Sequence, residues 1–319
     1  VYFIGRKTPW TEDNAYEVSK YKKLLTHGPE KHHWIVDGIE NNHLYNEDLL
    51  NARPQTVVIT EGITDCIALL AQGFPAISPV TVSFRHADMG GLIARLRGVG
   101  EVVICMDNEI SQAGWHGALH AAHQLEDAGI PCRVAELPLG DTQAQARAEL
   151  QARFGIDGST ALDTQLAKRS ADERHDAQRL LEQAKIDVCQ FFRDGGTATA
   201  FHEVMRLAKS PLELAIADLS STRPLSEQQE TVQMILRRIV VQPLLLQSEL
   251  LKAVRERLGN AIGMTDLRKM LKSAEQAKHA VAREQQRQQA ATPSSKGELV
   301  CDDGQRRLYL VNNGIVRET

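Results

Sequence analysis

The sequence predicts an α/β protein: a parallel sheet with flanking helices, a small basic α+β part before it and an all-helical domain after it. Three observations carry this. Between residues 56 and 137 short β-rich runs alternate with segments of helical spacing. Acidic residues directly follow two of those runs. After Pro138 the β-runs stop, while apolar residues at i, i+3, i+4 continue.

Residues 1–54 are mixed and locally basic, with Gly5-Arg6-Lys7 and Lys20-Tyr21-Lys22-Lys23, and read as short strands and loops. Val1 already reads as strand, as in a piece cut from a longer chain. Residues 55–196 form the α/β domain. Its strands are expected at Thr56–Thr60, Ala76–Ser78, Val102–Cys105 and Arg133–Leu137, with helices such as Ile63–Ala71 and Trp115–Ala128 between them. Strand and helix alternating at this rhythm imply a parallel sheet covered on both faces. The stretch 143–184, rich in Ala, Gln, Arg, Leu and Glu, is expected to be a helical insertion.

Residues 197–283 read as a helical domain with helices at Ala198–Lys209, Pro211–Ser220, Ser226–Gly259 and Met264–Gln286, and with Ser226 and Thr265 as N-caps. Residues 284–319 begin with a polar low-complexity linker. Short β-like runs with turns at Asp302-Asp303-Gly304 and Asn312-Asn313-Gly314 follow, as at the start of a further module.

Composition narrows the function classes. A net charge of −4 places any nucleic-acid contact on a local basic patch and not on bulk charge. The cysteines, Cys66, Cys105, Cys132, Cys189 and Cys301, are odd in number, scattered and without a C-x-x-C pair, which argues against a disulfide framework or a zinc ribbon and for a reducing, cytoplasmic setting. No apolar run is long enough to span a bilayer, so no membrane partner is expected.

The chemistry concentrates at two strand ends. Glu61-Gly62 follows the strand ending at Thr60, and Asp107-Asn108-Glu109 follows the one ending near Met106. Ligands of open α/β sheets collect at such carboxyl ends. In an extended strand exit, side chains two apart point the same way, so Asp107 and Glu109 can converge while Asn108 faces elsewhere. Clustered carboxylates repel and raise one another's pKa unless a hard cation compensates them. A single acidic residue after a strand is usually a solvated loop residue or a helix cap; two such loops in register weaken that explanation. If the cluster is repulsive, Asp107→Asn should leave metal-free stability unchanged or raised.

Thr60-Glu-Gly-Ile-Thr-Asp-Cys-Ile-Ala-Leu69 resembles the first TOPRIM motif, and Met106-Asp-Asn-Glu109 followed by Ala113-Gly114 resembles the second. Glu109 replaces the usual second Asp, and Ile110-Ser111-Gln112 lengthens the stretch before Ala113. Upstream, Tyr2–Arg6 and Ser19-Lys20-Tyr21 resemble the basic part of the RNA-polymerase core of DnaG-type primases. Downstream, Lys185–Gly195 with Ala200-Phe201 resembles the segment after that core's third strand, with Asp187 matching a further family carboxylate, and Pro211–Leu271 resembles its helical part.

The resemblance implies a DNA primase, a nucleotidyltransferase in which Glu61, Asp107 and Glu109, with Asp65 or Asp187, hold Mg²⁺ or Mn²⁺. It also implies that Arg6, Lys20, Lys22, Lys23 and Lys185 steer a single-stranded DNA template and nucleoside triphosphates, and that a replicative helicase is a partner. The rival readings are a TOPRIM metal-dependent nuclease and a non-catalytic scaffold that binds nucleic acid or a helicase. A topoisomerase needs a distinctively placed Tyr, and none of Tyr2, Tyr16, Tyr21, Tyr45 and Tyr309 has such a context. His116, His120 and His123 share one helical face, but no second group is spaced to complete a zinc site, and they are expected to face solvent beside the apolar stripe of Trp115, Ala118, Leu119, Ala122 and Leu125.

Overall fold

Val57, Val58, Ile59 and Val102, Val103, Ile104 are all buried, although successive side chains of a strand point to opposite faces. Only strands covered on both sides bury such runs. The computed structural model describes residues 4–6, 21–23, 43–79, 89–158, 162–291, 298–302, 307–312 and 315–318. The chain divides into two compact units, Val1–Glu213 and Leu214–Thr319.

In the first unit β1 (Ile4–Arg6) pairs antiparallel with β2 (Tyr21–Lys23). There follow β3 (Leu44–Tyr45), β4 (Thr56–Thr60), α1 (Ile63–Ala71), β5 (Ala76–Pro79), α2 (Met89–Leu96), β6 (Glu101–Cys105), α3 (Ala113–Asp127) and β7 (Cys132–Ala135). The helices α4 (Asp141–Phe154), α5 (Leu162–Ala167), α6 (Ala171–Gln183), α7 (Val188–Arg193) and α8 (Ala198–Leu207) come next, and α9 (Pro211–Asp218) runs across the division.

The sheet has the order β3-β5-β4-β6-β7, parallel except for β3, which pairs antiparallel at the edge. From β4 the chain first builds outward to β5 and then returns to lay β6 on the other side of β4. The topological switch point therefore lies between β4 and β6, where open α/β sheets bind their ligands.

One face of the sheet is closed by α1, α7 and α8 around Val58, Cys66, Leu69, Val103, Cys105, Ile186, Phe191 and Phe201. The other is covered by α3, which buries Ala118, Ala121, Ala122 and Leu125 and packs on β6 and β7, with α2 against it. The helices of the insertion build a small core of their own. Here α4 and α6 pack together around Ala146, Leu150, Phe154, Ile156, Ala177, Leu180 and Ala184, and Ile110 from the loop after β6 joins them. A full capping box at Ser170 and Glu173 starts α6.

In the second unit α10 (Leu225–Ile239), α11 (Leu244–Leu258) and α12 (Met264–Ala291) pack together over Val232, Ile235, Leu236, Val254, Leu258 and Leu267. A three-stranded antiparallel sheet follows, β8 (Glu298–Asp302), β9 (Arg307–Asn312) and β10 (Ile315–Glu318), ordered β10-β9-β8. No helix among the described residues is long and apolar enough to cross a membrane.

Several expectations need correction. The helix expected over Ser226–Gly259 is broken, because Pro243 cannot donate to the preceding turn and instead stands at the N-cap of α11. Ser226 and Thr265 are not caps: α10 starts at Leu225 after Pro224, and α12 starts at Met264. The turn residues Asp303, Gly304, Asn313 and Gly314 lie outside the described residues.

Phe201 is fully buried, and its ring lies 5.0 Å from that of Phe74 and 5.7 Å from that of Phe192. Phe201→Ala should cost about 3–5 kcal/mol. All the tryptophans lie in the first unit, so tryptophan fluorescence in urea follows this unit. A loss under about 1 kcal/mol would place the ring outside the core.

Candidate metal and nucleotide site

Thr60 and Cys105 are register partners at the ends of β4 and β6, so the residues after them leave the sheet side by side at the switch point. Glu61 comes from β4. Its neighbour Gly62 is demanded by the next turn, since a Cβ at 62 would stand 2.6 Å from the Asp65 carboxylate. The Glu61 carboxylate lies against the first turn of α3: a Cβ at Gly114 would sit 3.1 Å from Glu61 Oε2 and 3.3 Å from the Asp107 carbonyl oxygen. The N-terminal end of a helix favours an anion.

Asp107 and Glu109 are placed by a second pairing that closes long after the first. The Asn108 N–H donates to the Ile186 carbonyl at 2.9 Å, and the Ile186 N–H donates back to Asn108 at 3.1 Å, an antiparallel bridge. Residues flanking a bridged pair share one face. Asp107, Glu109, Lys185 and Asp187 thus lie on one side of the bridge, and Asn108 and Ile186 on the other. Ile186 is buried in the main core, and the Asn108 amide donates to the Leu137 carbonyl at 2.8 Å.

Lys185 Nζ stands 2.6 Å from Asp107 Oδ2 and 3.9 Å from Glu109 Oε2. Glu109 is fixed from its other side by Ser111, whose hydroxyl donates to it at 2.6 Å. Asp65 is buried and accepts the Cys189 N–H at 3.0 Å, tying α1 to the start of α7. Asp187 is the N-cap of α7 and accepts the Gln190 N–H at 2.6 Å.

The electrostatics follow from burial and like charge. Burial, and then the Asp107 charge, raise the Glu61 carboxyl to about 7. Burial, and then Asp187, raise Asp65 to about 7 against the Cys189 hydrogen bond. Burial also raises Asp107, with Lys185 opposing it. For Lys185 burial works against the charge, yet Asp107, Glu61 and Glu109 together outweigh it and the ammonium is held above its ordinary range.

Desolvated, mutually repelling oxygen donors are the chemistry of a hard divalent cation site. Among the described residues, no three His, Cys, Asp or Glu side chains are grouped closely enough to hold a metal ion. The Lys185 ammonium stands between the carboxylates instead. The donor types fit a divalent cation, with Glu61, Asp107 and Glu109 as the residues that would hold it.

Of the basic residues expected to steer template and nucleotides, Arg6, Lys22 and Lys23 lie on the β1–β2 ribbon, in register as Arg6 with Tyr21, Gly5 with Lys22 and Ile4 with Lys23. Lys20 lies outside the described residues. His116 and His120 are exposed as expected, whereas His123 is half-buried.

Arg147 was not legible in the sequence. Its guanidinium, on α4, donates to the Asn108 side chain at 2.8 Å, to the Asn108 carbonyl at 3.0 Å and to the Ala184 carbonyl at 3.1 Å, clamping both sides of the bridge. An Arg in an Ala- and Gln-rich helix carries no local signal. Lys185-Ile186-Asp187 did carry one, since polar-apolar-polar alternation is the pattern of a short strand with one buried face. A cavity of about 580 Å³ opens beside the loop, lined by residues including Asp107, Asn108, Glu109, Trp115, Glu136 and Arg147.

The lysine changes what carboxylate removal should do. Asp107→Asn takes the partner from a half-buried ammonium and should lower metal-free stability by about 1–2 kcal/mol, between the values for exposed and buried pairs. Glu61→Gln should act oppositely. Because the folded-state pKa of Glu61 is raised, its neutral form favours folding at low pH, and that contribution is lost as pH rises from about 4.5 to about 7. Urea melts with a chelator should therefore show Glu61→Gln gaining on the wild type across that window and holding the gain above it. A constant difference at every pH would contradict the raised pKa.

Residues 58–145 match the family described as Toprim-like. No curated protein matches the chain. Three solved structures are similar in part. The Aquifex aeolicus primase, with its zinc-binding and RNA polymerase domains, is 14% identical with a TM-score of 0.45, over 83% of this chain and 50% of that one. A DNA primase domain from Pseudomonas aeruginosa is 15% identical with a TM-score of 0.44, over 85% and 67%. The RNA polymerase domain of Mycobacterium tuberculosis primase DnaG, in complex with double-stranded DNA, is 17% identical with a TM-score of 0.45, over 81% and 66%. The chain spans about half the length of the Aquifex chain. Within it, residues 58–145 form a Toprim-like domain, and Glu61, Asp107 and Glu109 belong to that stretch.

Proposed function

We propose that the chain is a DNA-dependent nucleotidyltransferase that makes oligonucleotide primers. The observation that carries this is the placing of Glu61, Asp107 and Glu109 at the carboxyl ends of adjacent parallel strands inside a Toprim-like domain. The sequence resemblance of the flanking segments, Tyr2–Arg6 and Ser19–Tyr21 before the sheet and Lys185–Gly195 after it, supports primer synthesis over the other chemistries of such domains.

Glu61, Asp107 and Glu109 hold Mg²⁺ or Mn²⁺ in this reading. A divalent cation there would lower the pKa of a primer 3′-hydroxyl and neutralise charge on the attacked phosphate and the departing pyrophosphate. Glu61 sits against the first turn of α3, Asp107 and Glu109 face it from the bridge, and Arg147 keeps both arms of the bridge in place. Arg6, Lys20, Lys22 and Lys23 attract the phosphates of single-stranded template and nucleoside triphosphates, contacts that position a strand without reading it. A replicative helicase is the partner such an enzyme would serve, in the cytoplasm.

The test is primer synthesis by the whole chain with single-stranded DNA, nucleoside triphosphates and Mg²⁺ or Mn²⁺. Short oligonucleotides should form and decline steeply as salt rises. Glu61→Gln should lower turnover about a hundredfold or more while template binding is kept, the scale of losing one preorganised transition-state contact. Glu61-dependent cleavage of single-stranded DNA without synthesis would replace this reading with a nuclease. Neither activity, with DNA binding intact, would leave a scaffold, the reading that Lys185 among the carboxylates favours.

A further inference from the structure

Lys185 does more than a phosphate-steering lysine would. The antiparallel bridge sets it on the same face as Asp107 and Glu109, and burial of Ile186 together with the Arg147 clamp holds that register. Its ammonium contacts Asp107 Oδ2 at 2.6 Å and faces Glu109 Oε2 at 3.9 Å. These are oxygens that a divalent cation at the same residues would use. An ammonium donates to oxygens at hydrogen-bond distance, whereas Mg²⁺ draws them to about 2.1 Å. A carboxylate pair spread around an ammonium is therefore too open for a metal ion, in keeping with the absence of a metal-sized donor group among the described residues.

We propose that Lys185 is a resident counter-cation of the carboxylate site, which competes with the divalent cation for Asp107 and Glu109 and must be displaced for the ion to bind. The inference rests on the reading that these carboxylates hold a metal. It adds that the chain keeps the site assembled without metal and sets its metal affinity low by means of an internal charge. Lys185 is one-third exposed, so its head has a path to solvent when an ion arrives.

Mn²⁺ binding to the full chain, read by electron paramagnetic resonance at pH 7.5, tests this without reference to activity. Lys185→Met should bind Mn²⁺ at least tenfold more tightly than the wild type, and Lys185→Arg should stay near the wild type. In the wild type itself, Mn²⁺ should increase acylation of Lys185 seen by mass spectrometry, because the ammonium is released. That second measurement also decides the matter if Lys185→Met fails to fold. Equal or weaker Mn²⁺ binding by Lys185→Met, or unchanged Lys185 acylation when Mn²⁺ binds, overturns the competition while leaving the metal reading intact. Absence of Mn²⁺ binding by both wild type and Lys185→Met overturns both.

Discussion

Two backbone hydrogen bonds, from Asn108 to Ile186 at 2.9 Å and from Ile186 to Asn108 at 3.1 Å, join the exit of β6 to the chain returning from the helical insertion. The chemistry of the molecule is arranged around them. Because side chains alternate across a bridged pair, a single pairing brings Asp107, Glu109, Lys185 and Asp187 to one side. It sends Ile186 into the main core and Asn108 toward β7 and α4. A shift of one residue would reverse every one of these placements.

The insertion is what makes that register secure. Asn108, on the exit of β6, and Ala184, at the end of the insertion, are held by one guanidinium, that of Arg147. The extra residues after Glu109 serve the same purpose. Ile110 is buried among Ala146, Leu150, Phe154 and Leu180, and Ser111 holds Glu109 through a hydrogen bond. The lengthened motif and the insertion are thus one device: the loop supplies a plug for the insertion's core, and the insertion supplies the clamp for the loop. Arg147 is partly desolvated, which works against its charge, so its three acceptors are the compensation for placing it there.

The sheet and the strand-end carboxylates were legible because each rests on a local pattern. Thr56–Thr60 and Val102–Cys105 are β-rich runs of strand length; Glu61 follows the first directly and Asp107 follows the second after Met106. The helix at Ile63–Ala71 has the bounds its spacing predicts. What escaped depends on long-range pairing or on locally contrary residues. The edge strand β3 is two residues long, and α2 carries Gly90-Gly91 in its first turn, which lowers its intrinsic helix signal. The break at Pro243 was readable in principle, but the apolar spacing on its two sides ran together. The pairing of Lys185 with Asp107 joins residues far apart in the chain, and only the folded bridge brings them together.

A buried carboxylate cluster stands in a protein by taking up protons or by gaining a compensating charge. Here the chain offers Lys185, and the proposed alternative occupant of the same carboxylates is a divalent cation. A crystal of the full chain grown with Mn²⁺ and measured at the manganese edge addresses this most directly. An anomalous peak is expected at ligating distance from Glu61 and Asp107, with the Lys185 ammonium moved off Asp107. Manganese bound elsewhere, with Lys185 still paired to Asp107 and no peak among these carboxylates, would contradict it.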